Sequence, residues 1–170
     1  MFKDDRLTWD EYFMQVAVLT SKRSSCLRKK VGAVLVKDHR IIGIGYNGLA
    51  PGEKPHCDVY FYNKYINEKT NIYPTFEEYQ KSKEFYDEHG LYSIKKELHA
   101  ESNLFAFCAK NGIATDCCML YLTESPCTSC AKLVVQTGIN KVYYLNLYDR
   151  DQDGIKLLLD NNIICQQYKL

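Results

Sequence analysis

Residues 99–167 read HAESNLFAFCAKNGIATDCCMLYLTESPCTSCAKLVVQTGINKVYYLNLYDRDQDGIKLLLDNNIICQQ, and the periods of their apolar residues decide the fold. Helical spacing runs from His99 to about Lys110, with Gly112 beyond its end. Met119–Thr123 is a short apolar strand, and Cys127–Thr137 is a helix stopped by Gly138. A strand at Lys141–Leu145, a helix at Asp153–Asn161 and a short strand at Ile163–Gln167 complete the run. This is β-α-β-α-β, and crossover helices between successive strands imply parallel pairing of the three.

Outward toward the N-terminus, Val31–Val36 and Ile41–Gly45 are apolar strands around a polar turn, Lys37–Arg40, and predict an antiparallel hairpin. Thr8 with Glu11 forms a capping box ahead of a helix that reaches about Lys22. Between hairpin and run lies an insertion at about 49–96. It opens with Gly48, Pro51, Gly52 and Pro55, has no strand pattern, and predicts one helix from Thr75 to Glu88, closed by Gly90.

The 170 residues suit one α/β domain with a full core, without disulfide staples. Lys and Arg total 22 against 21 Asp and Glu, so no long basic footprint for nucleic acid is expected, and a small ligand is the better partner. Met1–Asp10 carries Lys3, Asp4, Asp5 and Arg6 with no apolar run behind it, and no segment has the length of a membrane span. The expectation is a cytoplasmic protein with mostly reduced thiols.

His99 and Glu101 open one helix; Pro126, Cys127 and Cys130 open the next. Two helix starts at the same end of a parallel sheet can bring His99, Cys127 and Cys130 together. Zinc takes imidazole nitrogen and thiolate sulfur tetrahedrally, and three protein ligands leave a fourth position for water, as catalytic zinc requires. The helix dipole favours the thiolates. Glu101, two residues from His99, sits beside such an ion without ligating it, in the place of a proton shuttle. Taken alone, Cys127 and Cys130 also fit a redox pair or a structural clip. Cys108, Cys117, Cys118 and Cys165 have no such company and read as buried inert thiols.

His99-Ala100-Glu101 and Ser125–Lys132 (SPCTSCAK) resemble the cytidine and deoxycytidylate deaminase superfamily. Thr8–Met14, Val31–Ala33, Gly43–Gly48, Gln136–Ile139 and Tyr148 resemble its deoxycytidylate (dCMP) deaminase branch, over nearly the whole chain. The chain departs from the pattern at Ser102 and in its long insertion. The resemblance implies a three-layer α/β/α sandwich with a five-stranded mixed sheet, commonly a homo-hexamer. It also implies zinc-dependent hydrolysis of dCMP to dUMP, which supplies the thymidylate precursor, with Glu101 as proton shuttle.

Further site residues follow from the same resemblance. Members with this layout hold a second, structural zinc at offsets matching Cys26, His56, His89 and Glu97; a competing assignment makes Cys57 the ligand and Glu97 an exposed charge. Asn47 matches a sugar contact, and Tyr148 an aromatic near the nucleotide. Tyr46 and Gly48 match a segment that binds dCTP with Mg2+ as activator, or dTTP as inhibitor, between subunits. Lys30, with Arg28 and Lys29 beside it, is a candidate for the phosphate, although a run of charges is also what a solvated surface shows. The alternatives are a bifunctional dCMP/dCTP enzyme, a deaminase of other nucleotides or polynucleotides, and a non-catalytic zinc module that binds nucleotide.

Overall fold

A computed structural model describes residues 5–170. Residues 1–4, the beginning of the segment read as carrying no leader, lie outside the described residues. Helix α1 (Trp9–Ser21) starts at Thr8, whose Oγ1 accepts from the Glu11 N–H at 3.2 Å, as the capping box predicts. Strands β1 (Gly32–Lys37) and β2 (Arg40–Tyr46) form the expected hairpin. After the insertion come α5 (Ala100–Lys110), β3 (Met119–Glu124), α6 (Thr128–Gln136), β4 (Lys141–Asn146), α7 (Asp153–Asp160) and β5 (Ile164–Gln167).

The five strands lie in the order β2-β1-β3-β4-β5. β1 is antiparallel to β2 and β3, whereas β3, β4 and β5 run parallel. Strand alternation divides the core into two faces. Ala33, Leu35, Leu120, Leu122, Val142 and Tyr144 meet Ala100 and Leu104 of α5, Ala131 and Val134 of α6 and Leu158 of α7. Val34, Val36, Tyr121 and Tyr143 point the other way, onto Phe13, Met14 and Ala17 of α1. The result is the three-layer α/β/α sandwich with a five-stranded mixed sheet. No helix among the described residues is long and apolar enough to cross a membrane.

The insertion differs from its expected form. In place of one helix it holds α2 (Cys57–Lys64), which runs on as a π-helical turn at Tyr65–Lys69, then α3 (Phe76–Lys81) and α4 (Lys83–Lys96). Thr75 caps α3 as read, its Oγ1 accepting from Glu78 N at 3.2 Å. The helix nevertheless breaks at Ser82, which adopts extended backbone (φ −76°, ψ 154°) and caps α4 by accepting from Phe85 N at 3.0 Å. Gly90 closes nothing; it lies inside α4. The segment also has a core of its own, with Phe61, Tyr65, Tyr79 and Phe85 packed together and Leu27, Tyr73, Phe76 and Tyr92 around them. Aromatic burial therefore orders a region without strands of its own.

Candidate active site

β1 runs opposite to β3, so the start of β1 and the ends of β2, β3 and β4 meet at one end of the sheet. Two helices begin there. Cys127 caps α6 with extended backbone (φ −68°, ψ 166°), and Cys130 lies in its first turn. His99 caps α5 in the same way (φ −71°, ψ 157°). It is held against the end of β2 by paired backbone bonds between Gly48 and Leu98, 3.1 Å from Gly48 N and 2.8 Å from Leu98 N. Gly45 makes this fit possible: a Cβ there would stand 2.4 Å from the Ala100 carbonyl oxygen, so only glycine lets α5 lie directly on β2.

His99 Nδ1 is 3.5 Å from Cys127 Sγ and 3.4 Å from Cys130 Sγ. A tetrahedral zinc with sulfur at about 2.3 Å and nitrogen at about 2.0–2.1 Å sets such donors roughly 3.5 Å apart. The donor set and its spacing fit the ion. A hydrogen bond from Cys130, joined by one from His99, holds the Cys127 thiol below its ordinary range, in the direction a metal-binding thiolate needs. Glu101 stands in the first turn of α5, 4% exposed, and burial pushes its carboxyl up from the usual range. It is not one of the three converging donors.

His99, Glu101 and Cys127 line a cavity of about 580 Å³ whose wall also includes Arg28, Lys29, Asn47, Tyr86, Glu124 and Tyr148. Asn47 Nδ2 donates to the Lys29 carbonyl at 2.9 Å and its Oδ1 accepts from Val31 N at 2.8 Å, which fixes the 29–31 segment. Tyr148 is tied to the metal loop through its N–H and Ser125 Oγ, 2.9 Å. Lys30 is exposed and does not line the cavity. Its neighbours Arg28 and Lys29 do. Tyr46 and Gly48 lie outside the cavity as well, Tyr46 on the surface and Gly48 in the bridge to Leu98.

Glu124, Tyr86 and Arg150 carry no signal in the sequence motifs. Glu124 alone has a local cue: a carboxylate ending an apolar strand just before Ser125-Pro126-Cys127 has to face something polar. It accepts from Lys29 Nζ at 2.6 Å and from Asn146 Nδ2 at 3.2 Å.

A second cluster joins Cys26, Cys57, His89 and Glu97. His89 Nε2 is 3.4 Å from Cys26 Sγ and 3.3 Å from Cys57 Sγ, and Cys26 Sγ is 3.4 Å from Glu97 Oε2. His56 is corrected to Cys57: His56 is the exposed N-cap of α2, while Cys57, the first helical residue, is turned inward and 1% exposed. Glu97 is drawn into the cluster beside it, against the assignment that left it an exposed charge. His89 Nδ1 and Glu97 Oε1 are buried without hydrogen-bond partners. Cys117 is exposed rather than buried, at a positive φ of 59°.

The family model for the cytidine and deoxycytidylate deaminase zinc-binding region matches residues 7–146. The deoxycytidylate deaminase of Enterobacteria phage T2 is 35% identical over 161 residues, spanning 87% of this chain and 85% of its own. The deoxycytidylate deaminase of Homo sapiens is 33% identical over 163 residues, 94% of this chain and 78% of its own. Among solved structures, the dCMP deaminase of cyanophage S-TIM5 in complex with dCMP and dUMP superposes with a TM-score of 0.70 at 30% identity, over 99% of this chain and 100% of the other.

Proposed function

The chain belongs to the cytidine and deoxycytidylate deaminase family, and from that premise we propose its reaction: hydrolysis of dCMP to dUMP and ammonia. The observation that carries this reading is the arrangement of a buried, non-ligating carboxylate, Glu101, beside a three-donor zinc set on the wall of a nucleotide-sized cavity. His99, Cys127 and Cys130 would hold a zinc ion, which would supply Lewis-acid activation of water for attack at carbon 4 of the pyrimidine. Glu101 accepts the water's proton and passes protons to the ring nitrogen and the leaving amine, so that the oxygen of water replaces nitrogen and ammonia departs. Its burial, which favours the protonated form, suits a group that must both take and give a proton near neutrality. Asn47, held at both ends of its carboxamide, has a second N–H left for the sugar, and Tyr148 supplies an aromatic edge.

The competing reading of a non-catalytic zinc module has no use for a buried carboxylate beside an incomplete ligand shell. Turnover of a panel of cytidine, deoxycytidine, dCMP and dCTP is the test. dCMP is expected to be preferred, and faster turnover of an oligonucleotide or tRNA would overturn the assignment.

We further propose that Cys26, Cys57, His89 and Glu97 bind a second, structural zinc. Their four donors close a tetrahedral shell and leave no place for reactive water. The unpartnered Glu97 Oε1 and the tight spacing of two sulfurs about one imidazole support it. The exposed Tyr46 and the open space over Gly48 support an effector segment for dCTP with Mg2+, or for dTTP, at a contact between copies in a hexamer. Eight free cysteines support a reducing, cytoplasmic setting. The chain reads as one deaminase domain with its insertion at about 49–96.

A further inference from the structure

The positive charge at the cavity is unequally committed. Lys29 is neutralised by Glu124 at 2.6 Å. Arg28 and Arg150 are not paired to any carboxylate among the described residues; both gather on one ring instead. Arg28 Cζ is 3.9 Å and Arg150 Cζ 4.9 Å from the centroid of Tyr86, and Arg150 Nη2 also donates to the Tyr86 hydroxyl. All three residues line the cavity, from three separate parts of the chain: the segment before β1, helix α4 of the insertion, and the loop after β4. One turn beyond Tyr86, Gly90 leaves room beside Arg28, whose Nη1 would stand 3.9 Å from a Cβ there. Two guanidinium groups gathered on one ring beside the same cavity, with no carboxylate paired to either among the described residues, favour an anion there, and guanidinium groups are suited to bidentate contact with phosphate.

We propose that Tyr86 is a positioning residue that sets selectivity for a nucleoside 5′-monophosphate over the bare nucleoside, by holding Arg28 and Arg150 at the cavity mouth. This rests on the dCMP reading above. The phosphate contact thereby moves from Lys30 to a pair of arginines fixed by the insertion, and the insertion gains a part in substrate choice.

Tyr86 is 51% exposed, so its replacement should leave the fold intact. The zinc-loaded enzyme and its Tyr86→Phe, Tyr86→Ala and Tyr86→Leu variants are compared by KM and kcat on dCMP, and by inhibition with dUMP and with deoxyuridine. Loss of the aromatic face should raise KM for dCMP and the inhibition constant of dUMP about tenfold in the Ala and Leu variants, the scale of two cation–π contacts. Over the same series kcat should change less than twofold or so, and deoxyuridine should inhibit as before. Tyr86→Phe keeps the ring and should stay within about threefold of the parent. Equal weakening of dUMP and deoxyuridine, or an unchanged KM in both the Ala and Leu variants, would overturn the proposal while leaving dCMP as substrate. A parent enzyme that does not turn over dCMP would remove the reading beneath it and the proposal together.

Discussion

Glu101 is two residues from His99, yet the start of α5 turns the two side chains to different tasks: His99, in extended backbone at the cap, offers Nδ1 to the thiolates, and Glu101, already helical, is buried beside them. Removing a proton carrier should therefore separate turnover from metal content. Glu101→Ala should lower kcat by at least about a thousandfold with zinc at the His99 centre retained, whereas Cys127→Ser or Cys130→Ser should lose both; near-normal turnover in the Glu101 variant would refute the assigned role. This centre could be read before the structure because His-x-Glu and Cys-x-x-Cys each confine their residues to a single helix turn. The second centre could be read only in part. His56 and Cys57 are adjacent, and which of them faces inward depends on where α2 begins; the helix takes Cys57 as its first residue and leaves His56 in solvent. Arg28 could be read only as a neighbour of Lys30 in a basic run, and Tyr86 and Arg150 not at all, since the three meet only through the packing of distant segments.

At the level of elements, the N-terminus of α6 is fixed from outside the helix. Asp151 accepts from Thr128 N at 2.7 Å and from Thr128 Oγ1 at 2.8 Å, and these bonds hold its carboxyl below the usual range. A carboxylate with a lowered folded-state pKa contributes its stability above the unfolded value of about 3.9 and loses it as pH falls through the lower folded value. Asp151→Ala should cost about 1 kcal/mol near neutrality, as other lost caps do, or roughly 3 °C in Tm for a chain of this size. The gap from the parent should narrow as the pH is lowered toward 3; a gap that widened in acid would count against this cap. Gly154 guards the same turn from the α7 side. A Cβ there would lie 2.1 Å from the Pro126 carbonyl oxygen and 2.8 Å from the Cys127 carbonyl carbon, so Gly154→Ala must displace the backbone that carries a metal ligand. Faster zinc loss to a chelator, together with a lower Tm, is the expected result, and unchanged zinc retention would show that α7 can shift away without disturbing Cys127. The crossover helices were foreseeable from period and turn residues. The break at Ser82 was not, because Ser82-x-x-Phe85 is a cap whose signal lies inside an otherwise continuous helical pattern.

Across the whole molecule, the sheet gathers the catalytic donors at one end, and α4 closes that end from the insertion. The helix faces both centres: His89 belongs to the second cluster, while Tyr86, Gly90, Ser93 and Ile94 line the cavity along with His89 itself. His89 is also stacked on Phe61, with ring centroids 5.3 Å apart, so the cluster is continuous with the insertion's aromatic core. A metal at Cys26, Cys57, His89 and Glu97 would thus tie the chain before β1, α2 and α4 into one wall, and its removal should loosen the wall more than the reacting centre. Metal analysis of the purified parent should find two zincs per chain. Cys57→Ser should retain one, lower Tm, and raise KM for dCMP by more than it lowers kcat, since Cys57 ties α2 to the segments that carry Arg28 and Tyr86, while the α6 thiolates lie on none of them and His99 is also held by its bridge to β2. His56→Ala should match the parent in all three measurements, because His56 touches neither centre. One zinc in a well-folded parent would refute the second site. Two zincs with a Cys57→Ser effect confined to kcat would keep the site but break its link to the cavity wall, and the insertion would then reach the substrate through the cavity face of α4 without help from the metal.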